Sequence, residues 1–357
     1  MATPAGGPPL ALTRGDPSGI GLEITLKAWL ATHASAAAEP FILVADPALC
    51  ERVARAQNLD VPIATTTPRE AAGLFARALP VLALDVETHG APGRPDVQDA
   101  AGTIASMERC VELVGKGEAS AVVTNPVSKE ILRRAGFRHP GQTEFMGEMA
   151  ERLWGFSGRA VMLLWSPALA VVPATIHVPI ASVPALVTAE LIVDTVRIVA
   201  YDYAARFGVA RPRIAVTGLN PHAGEGGDMG REEIDTIAPA LARLAAEGYA
   251  VTGPHPADTL FHAAARERYD VVVTMYHDQA LIPIKTLAFD TAVNVTLGLP
   301  FVRASPDHGT AYDIAGLGVA DPSSLVAALH LAARIARADR GPRDPSEGSA
   351  AAACPAA

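Results

Sequence analysis

Short apolar runs that stop at a polar residue, each followed by a stretch with helical spacing, recur along this chain and leave few folds open to it. Runs of this kind occupy residues 10–13, 41–45, 81–84, 119–123, 169–176, 213–221 and 270–276. Helical spacing is clearest in 100–116, where Ile104, Met107, Val111 and Val114 fall on one face, and in 188–207 and 232–247. Strands alternating with helices predict an α/β protein with a mostly parallel sheet. Ligands bind such sheets at the carboxyl ends of the strands. Three of the runs end in histidine, at His177, His222 and His277, so three imidazoles arrive at a sheet edge by the same local route.

The stretch 270–316 concentrates the remaining polar chemistry. It delivers Thr274, His277 and Asp278 after an apolar run, then Lys285, Asn294 and Arg303 at wide spacing among small and apolar residues. It closes on the loop Asp307-His308-Gly309-Thr310-Ala311, after which the pattern predicts the first turn of a helix. At the other end of the chain, a strand at 10–13 leads through Gly15-Asp16-Pro17-Ser18-Gly19-Ile20-Gly21 into a helix over 22–32. Those glycines serve either a tight turn or a loop that cradles an anion at a helix N-terminus. They match neither of the familiar nucleotide-binding glycine patterns.

A chain of 357 residues can bury a sizeable core in two domains or one large one. Its 50% hydrophobic and 5% aromatic content suits helix-rich α/β packing on small side chains. The net charge of −9 argues against a nucleic-acid surface. Small anions remain possible ligands, since local Arg and Lys decide that. Cys50, Cys110 and Cys354 show no paired spacing, so neither a disulfide framework nor a thiolate metal site is expected, and a reducing, cytoplasmic setting is. The start, MATPAGGPPLALT, lacks a basic segment and a long apolar core, so no signal peptide is expected. The longest uncharged run, 160–179, is broken by Ser166-Pro167 and Pro173; it predicts two short strands around a turn and no membrane span.

Three similarly placed histidines fit a divalent cation, because three neutral imidazoles leave a coordination position open for substrate. The competing reading is that each imidazole bonds backbone at a strand-to-loop turn. Asp16, Asp258 and Asp278 are either partners that orient an imidazole or ordinary helix caps. Lys285, Asn294 and Arg303 are suited to holding a phosphate or carboxylate.

Taken together, the blocks LALTRGDPSGIGLEI, VTNPVSK, GQTEF, TIHVPI, GLNPHAGEGGDMGREEID, PADTLF, MYHDQALIPIKTLAF and VNVTLGLPFVRASPDHGTAYDIAG resemble the 4-hydroxythreonine-4-phosphate dehydrogenase family of vitamin B6 biosynthesis. The first and last also resemble the wider isocitrate/isopropylmalate dehydrogenase group. The resemblance implies two α/β/α domains with mostly parallel sheets, an active site in the interdomain cleft, and a homodimer with the site at the subunit interface. By analogy with that group, 1–130 and 285–337 form the first domain, 131–284 the second, and 338–357 a disordered tail. His177, His222 and His277 match the family's metal ligands, shared across the dimer. Thr143, Lys285, Asn294 and Arg303 match its substrate contacts, and His308, Gly309, Thr310, Ala311 and Asp313 resemble the cofactor loop of the wider group. Gln142 stands where the family usually has histidine. It can hydrogen-bond there but cannot carry a proton or charge.

The implied reaction is metal-dependent, NAD- or NADP-linked oxidation of 4-phosphohydroxy-L-threonine at its 3-hydroxyl. The β-keto acid then loses CO₂ to give 3-amino-2-oxopropyl phosphate. Zinc is the expected cation, with magnesium or cobalt as alternatives. The general base is open between a metal-bound water, Asp278 and Lys285. Gln142 keeps other acids in view as substrates, namely a four-carbon sugar-acid phosphate or an aromatic cis-dihydrodiol carboxylate. A metal-dependent phosphohydrolase is the alternative from another class.

Overall fold

The computed structural model describes residues 7–139 and 141–339; the tail from 340, including Cys354, lies outside the described residues, as do residues 1–6. The chain divides into two compact units, Met1–Ser157 with Leu299–Arg337, and Gly158–Gly298 with Ala338–Ala357. Relative to the division expected by analogy, 131–157 join the first unit and 285–298 the second. The reason is local: the helix Gln142–Trp154 packs on the helix Asp99–Gly115, and the strand Val293–Leu297 pairs with Val161–Trp165.

Among the described residues twelve strands are numbered β1 to β12 in chain order. The first unit holds β1 Leu10–Thr13, β2 Phe41–Ala45, β3 Ile63–Thr65, β4 Leu79–Ala83, β5 Val122–Val123 and β12 Arg303–Pro306. They lie in the order β3-β4-β2-β1-β5-β12, and every pair among them is parallel. β1, β2 and β12 are buried along their whole length, as parallel strands covered on both faces must be. Asp46 caps the helix Pro47–Ala56 by accepting from Ala48 N and Leu49 N, and Pro47 supplies the first helical residue.

The second unit holds β6 Val161–Trp165, β7 Ala170–Pro173, β8 Ile214–Thr217, β9 Val251–His255, β10 Val271–Thr274 and β11 Val293–Leu297, ordered β11-β6-β7-β10-β8-β9. The uncharged run forms the expected two strands about a turn, with Ser166 Oγ accepting from Leu169 N. β6 is antiparallel to both its neighbours, whereas β7, β10, β8 and β9 run parallel. Ala280 and Ile284 of the helix His277–Ala288 are fully buried against Leu164, Val171, Ala215 and Val272. A buried aliphatic side chain of this kind contributes roughly 1.5–3 kcal/mol.

Two local expectations change. The segment after the Asp307 loop makes turns, not a helix, and the next helix is Ser323–Ala338. The pattern over 232–247 splits into a π-turn, Glu233–Ile237, and an α-helix, Ala238–Ala246. Pro239 at the junction has no N–H to continue the ladder. Gln142 and Thr143 occupy the first turn of the helix Gln142–Trp154, which Gly141 precedes in extended backbone.

Candidate active site

In the second unit β7, β10 and β8 are parallel neighbours, so their carboxyl ends open on one edge. Past β7 the backbone keeps pairing with the exit of β10: Ala174 N donates to Thr274 O at 2.7 Å, and Thr175 Oγ1 donates to Met275 O at 2.7 Å. This sets His177 beside His277, with ring centroids 5.6 Å apart and the planes at 42°. Both rings border a cavity of about 390 Å³ whose wall also includes Ile176, Tyr276 and Asp278.

His277 is the first residue of its helix, and its Nδ1 lies 2.7 Å from Asp278 Oδ1. With the Nδ1 proton held by the carboxylate, Nε2 carries the lone pair of the neutral ring. Of the readings left open for Asp278, this contact is the one an orienting partner makes. Asp258 instead lies exposed in the short turn Ala257–Thr259.

His222 reaches the same edge differently. After β8 the backbone enters a left-handed turn in which His222, Ala223, Gly224, Glu225 and Gly226 all have positive φ. Left-handed backbone costs a residue with a Cβ roughly 1–2 kcal/mol, so the turn needs external support. Glu233, 3% exposed, supplies it: Oε1 accepts from Leu219 N at 2.7 Å and Asn220 N at 2.8 Å, and Oε2 from Asn220 Nδ2 at 3.0 Å. Gly218 and Gly224 leave room for that carboxylate, since a Cβ would fall 2.9 and 2.6 Å from its oxygens. Gln279 ties this loop to the start of the His277 helix. Its Oε1 accepts from Thr217 Oγ1 and Met275 N, and its Nε2 donates to Gly218 O, all at 2.8 Å.

His222 does not border the cavity of the other two histidines. Among the described residues no three His, Cys, Asp or Glu side chains of one chain converge to hold a cation. The structure thus brings His177 and His277 together and leaves His222 on the adjoining loop. Lys285 lies two turns along the helix with its ammonium 5.2 Å from the Phe289 ring centre. Asn294 sits in β11, where its Oδ1 is buried without a hydrogen-bond partner.

The first unit carries the other expected residues. Arg303 opens β12 and is 4% exposed. Its Nη2 donates to Thr124 Oγ1 at 2.6 Å and to Gln142 Oε1 at 3.0 Å. Burial lowers the guanidinium to about 10, against the opposing pull of the Glu144 carboxylate. Thr143 follows Gln142 in the same first turn and is half-buried.

The segment His308–Asp313 packs on the glycine loop near the start of the chain. Thr310 O accepts from Ile20 N at 3.0 Å, and Tyr312 Oη donates to Asp16 Oδ2 at 2.6 Å. Burial, then the bond to Asp16, holds the Tyr312 hydroxyl far above its ordinary pKa. Asp16 Oδ1 also accepts from Ser18 N at 2.9 Å, and a Cβ on Gly19 would lie 2.8 Å from Thr310 O. The glycines thus permit a close approach between two loops. His308, Gly309 and Asp313 are exposed, and Ala311 takes a positive φ of 45°.

Three residues that shape these sites carry no signal as single letters: Glu233, Gln279 and Thr124. Each acts by closing a backbone turn or fixing another side chain, and spacing carries no signal for that.

The profile of the family Pyridoxal phosphate biosynthetic protein PdxA matches residues 36–332. A 4-hydroxythreonine-4-phosphate dehydrogenase of Methylorubrum populi is 56% identical over 331 residues, 92% of this chain and 95% of that protein. One of Bradyrhizobium diazoefficiens is 55% identical over 340 residues, 92% and 97% of the two chains. The crystal structure of the Klebsiella pneumoniae 4-hydroxythreonine-4-phosphate dehydrogenase superposes with a TM-score of 0.79 at 34% identity, covering 92% of this chain and 99% of that one. A terephthalate 1,2-cis-dihydrodiol dehydrogenase of Burkholderia xenovorans superposes at 0.62 with 28% identity, covering 92% and 98%. With the parallel α/β architecture, the strand-end histidines and relatives more than half identical along nearly the whole length, this chain belongs to the pyridoxal phosphate biosynthetic protein PdxA family of dehydrogenases.

Proposed function

We propose that the protein oxidises 4-phosphohydroxy-L-threonine at its 3-hydroxyl with NAD or NADP, the β-keto acid then losing CO₂ to leave 3-amino-2-oxopropyl phosphate. The observation that carries this reading is the pairing of His177 and His277 in one cavity at the carboxyl edge of β7 and β10, in a chain whose relatives bear that enzyme name. Two imidazoles, one held in its tautomer by Asp278, are a donor set that fits a divalent cation. His222 is the third ligand, and the three are shared between two copies of the chain. Exposed apolar side chains support a second copy there: Ile180, which lines the cavity, is 67% exposed, and Ile282 and Phe289, on and just past the helix that His277 begins, are 64% and 71% exposed. Zinc fits imidazole donors better than magnesium, with cobalt the closer alternative; the cation supplies positive charge that favours the ionised form of the substrate hydroxyl.

The protein's own groups do the rest. Arg303, Lys285, Asn294, Thr143 and Gln142 hold the substrate, with the Arg303 guanidinium on its phosphate end, and so choose which hydroxyl is presented. The orphaned Oδ1 of Asn294 is an acceptor suited to a substrate ammonium or hydroxyl. Because Asp278 is engaged with His277, Lys285 is the side chain that takes the hydroxyl proton. His308, Gly309, Thr310, Ala311 and Asp313 hold the nicotinamide cofactor, which provides the hydride acceptor that no side chain offers. The two described cysteines are free and buried, which supports a cytoplasmic setting.

The test is turnover of 4-phosphohydroxy-L-threonine by the purified protein, followed by nicotinamide absorbance, with and without a chelator. His222→Ala and His277→Ala should lose bound metal and turnover while staying folded. Full activity of either variant, or no effect of chelation on any activity, would remove this mechanism. A second reading has one observation in its favour. The similarity to a terephthalate 1,2-cis-dihydrodiol dehydrogenase admits an aromatic cis-dihydrodiol carboxylate as substrate. Faster turnover of such an acid in a substrate panel would select it.

A further inference from the structure

We infer that Lys129 is a further substrate-binding residue, its ammonium meeting the substrate's phosphate together with the Arg303 guanidinium. The inference deepens the function proposed above and rests on its placing of the phosphate in the first unit. Topology points to the spot. In the order β3-β4-β2-β1-β5-β12 the chain leaves β1 for β2 on one side and returns to β5 on the other, so the strand order reverses between β1 and β5. Parallel α/β sheets bind their ligands in the crevice at the carboxyl ends of the strands where that reversal occurs. The walls of this crevice are the glycine loop after β1 and the segment 124–129 after β5. The two are tied together: Asp16 N donates to Pro126 O at 2.9 Å, and Asn125 N donates to Thr13 Oγ1 at 3.0 Å. They also pack closely, since a Cβ on Gly15 would fall 2.7 Å from the Asn125 Cβ.

Lys129 is the cation that this frame carries. It opens the short helix Lys129–Arg134, directly after Ser128, whose hydroxyl accepts from Ile131 N at 3.3 Å and also bonds the Tyr312 hydroxyl. The backbone beneath Lys129 is therefore fixed, while its side chain is exposed. That side chain extends toward Gly141, where a Cβ would stand 3.5 Å from Lys129 Cε and 3.7 Å from Nζ. Gln142 and Thr143 follow directly in the chain, and Gln142 Oε1 accepts from Arg303 Nη2 at 3.0 Å, so Lys129 adjoins the residues already given to the phosphate. Among the described residues the Lys129 ammonium makes no ion pair. The adjacent Glu130 lies 3.9 Å from Arg134, and Glu144, whose Oε2 would be 3.2 Å from the same Cβ on Gly141, is the acid on this side. A phosphate monoester carries about −1.5 to −2 charge at pH 7. Arg303 supplies one positive charge, and Lys285 belongs to the other unit, where it takes the hydroxyl proton. A second cation in the first unit completes the balance, and an ammonium on a flexible stem suits a phosphate as a point charge.

The experiment measures the affinity for inorganic phosphate by calorimetry, and kcat and KM for 4-phosphohydroxy-L-threonine and NAD⁺, in the wild type, Lys129→Met and Lys129→Arg, with circular dichroism to confirm the fold. Lys129→Met should weaken phosphate binding and raise the substrate's KM roughly tenfold, with kcat within about twofold and the KM for NAD⁺ unchanged. Lys129→Arg keeps the charge and should stay within about threefold of the wild type on both. The difference between wild type and Lys129→Met should shrink as salt rises, which a packing role would not produce. Wild-type phosphate affinity and substrate KM in Lys129→Met would overturn the proposal. So would equal losses in Lys129→Arg, or a rise confined to the KM for NAD⁺, which would hand the cation to the cofactor. Phosphate binding that depends on Lys129 in a wild type unable to turn over 4-phosphohydroxy-L-threonine would remove the proposed substrate and leave this site standing; an active enzyme indifferent to Lys129→Met would do the reverse.

Discussion

Replacing Glu233 by Ala should release the loop that carries His222 without unfolding the protein. The carboxylate accepts three hydrogen bonds, at 2.7, 2.8 and 3.0 Å, two of them from the backbone N–H groups of Leu219 and Asn220. Stranding a buried donor costs about 1–3 kcal/mol. These donors are only partly buried and water can replace some of the loss, so about 1 kcal/mol each, or ~3 kcal/mol in all, is the reasonable figure. The left-handed turn that the clamp supports includes three residues with a Cβ, His222, Ala223 and Glu225. At roughly 1–2 kcal/mol apiece they store ~3–6 kcal/mol, comparable with what the clamp supplies. The loop should therefore open locally. Amide hydrogen exchange read by mass spectrometry is the direct assay. Protection across 218–230 should fall about a hundredfold for ~3 kcal/mol, while β7 and β10 keep theirs. Metal affinity should fall in parallel if His222 is a ligand. Glu233→Gln should fall between the two, because one amide face can still accept from both backbone donors. Unchanged protection over 218–230 in Glu233→Ala would refute the clamp, whatever happens to activity.

Three further outcomes follow from the same geometry. Gly19→Ala should raise KM for the nicotinamide cofactor at least about tenfold, because its Cβ would lie 2.8 Å from Thr310 O and force the two loops apart; Gly73→Ala, in the helix Pro68–Leu74 with open space at its Cβ, should be nearly silent, and equal effects of the two would sink the argument. Cys50 and Cys110 should resist iodoacetamide in the native protein at pH ~8 and react only in denaturant, since burial pushes Cys50 up to about 12 and raises Cys110 further. Peptide mapping that finds either labelled in the native state would contradict this. Asp278→Asn should weaken metal binding roughly 10–100-fold with little change in melting temperature, because it removes the carboxylate that fixes the His277 tautomer; equal metal affinity would return Asp278 to a plain helix-end role.

How far letters alone reach is visible in particular residues. The burial of β1, β2, β7, β8 and β10 and the arrival of three histidines at strand ends follow from apolar runs of strand length bounded by polar residues. The helix His277–Ala288 went unread because Pro283 interrupts it and its apolar residues blur any single face. The antiparallel β11 owes its existence to its partner β6, which no local pattern encodes.

By itself, the sequence determined the alternation of strands and helices, the residues able to ligate a cation or grip a phosphate, and through long shared blocks the family. Those are properties of local pattern and of side-chain chemistry, which reside in the residue itself. Only the tertiary structure decided that His177 meets His277 while His222 is held apart in a left-handed turn, and that Gln142 faces Arg303. Contacts between residues distant along the chain depend on strand order and backbone hand. Those are set by the packing of the whole unit, because a buried carboxylate such as Glu233 or a buried guanidinium such as Arg303 takes whichever partner the fold brings within hydrogen-bond reach.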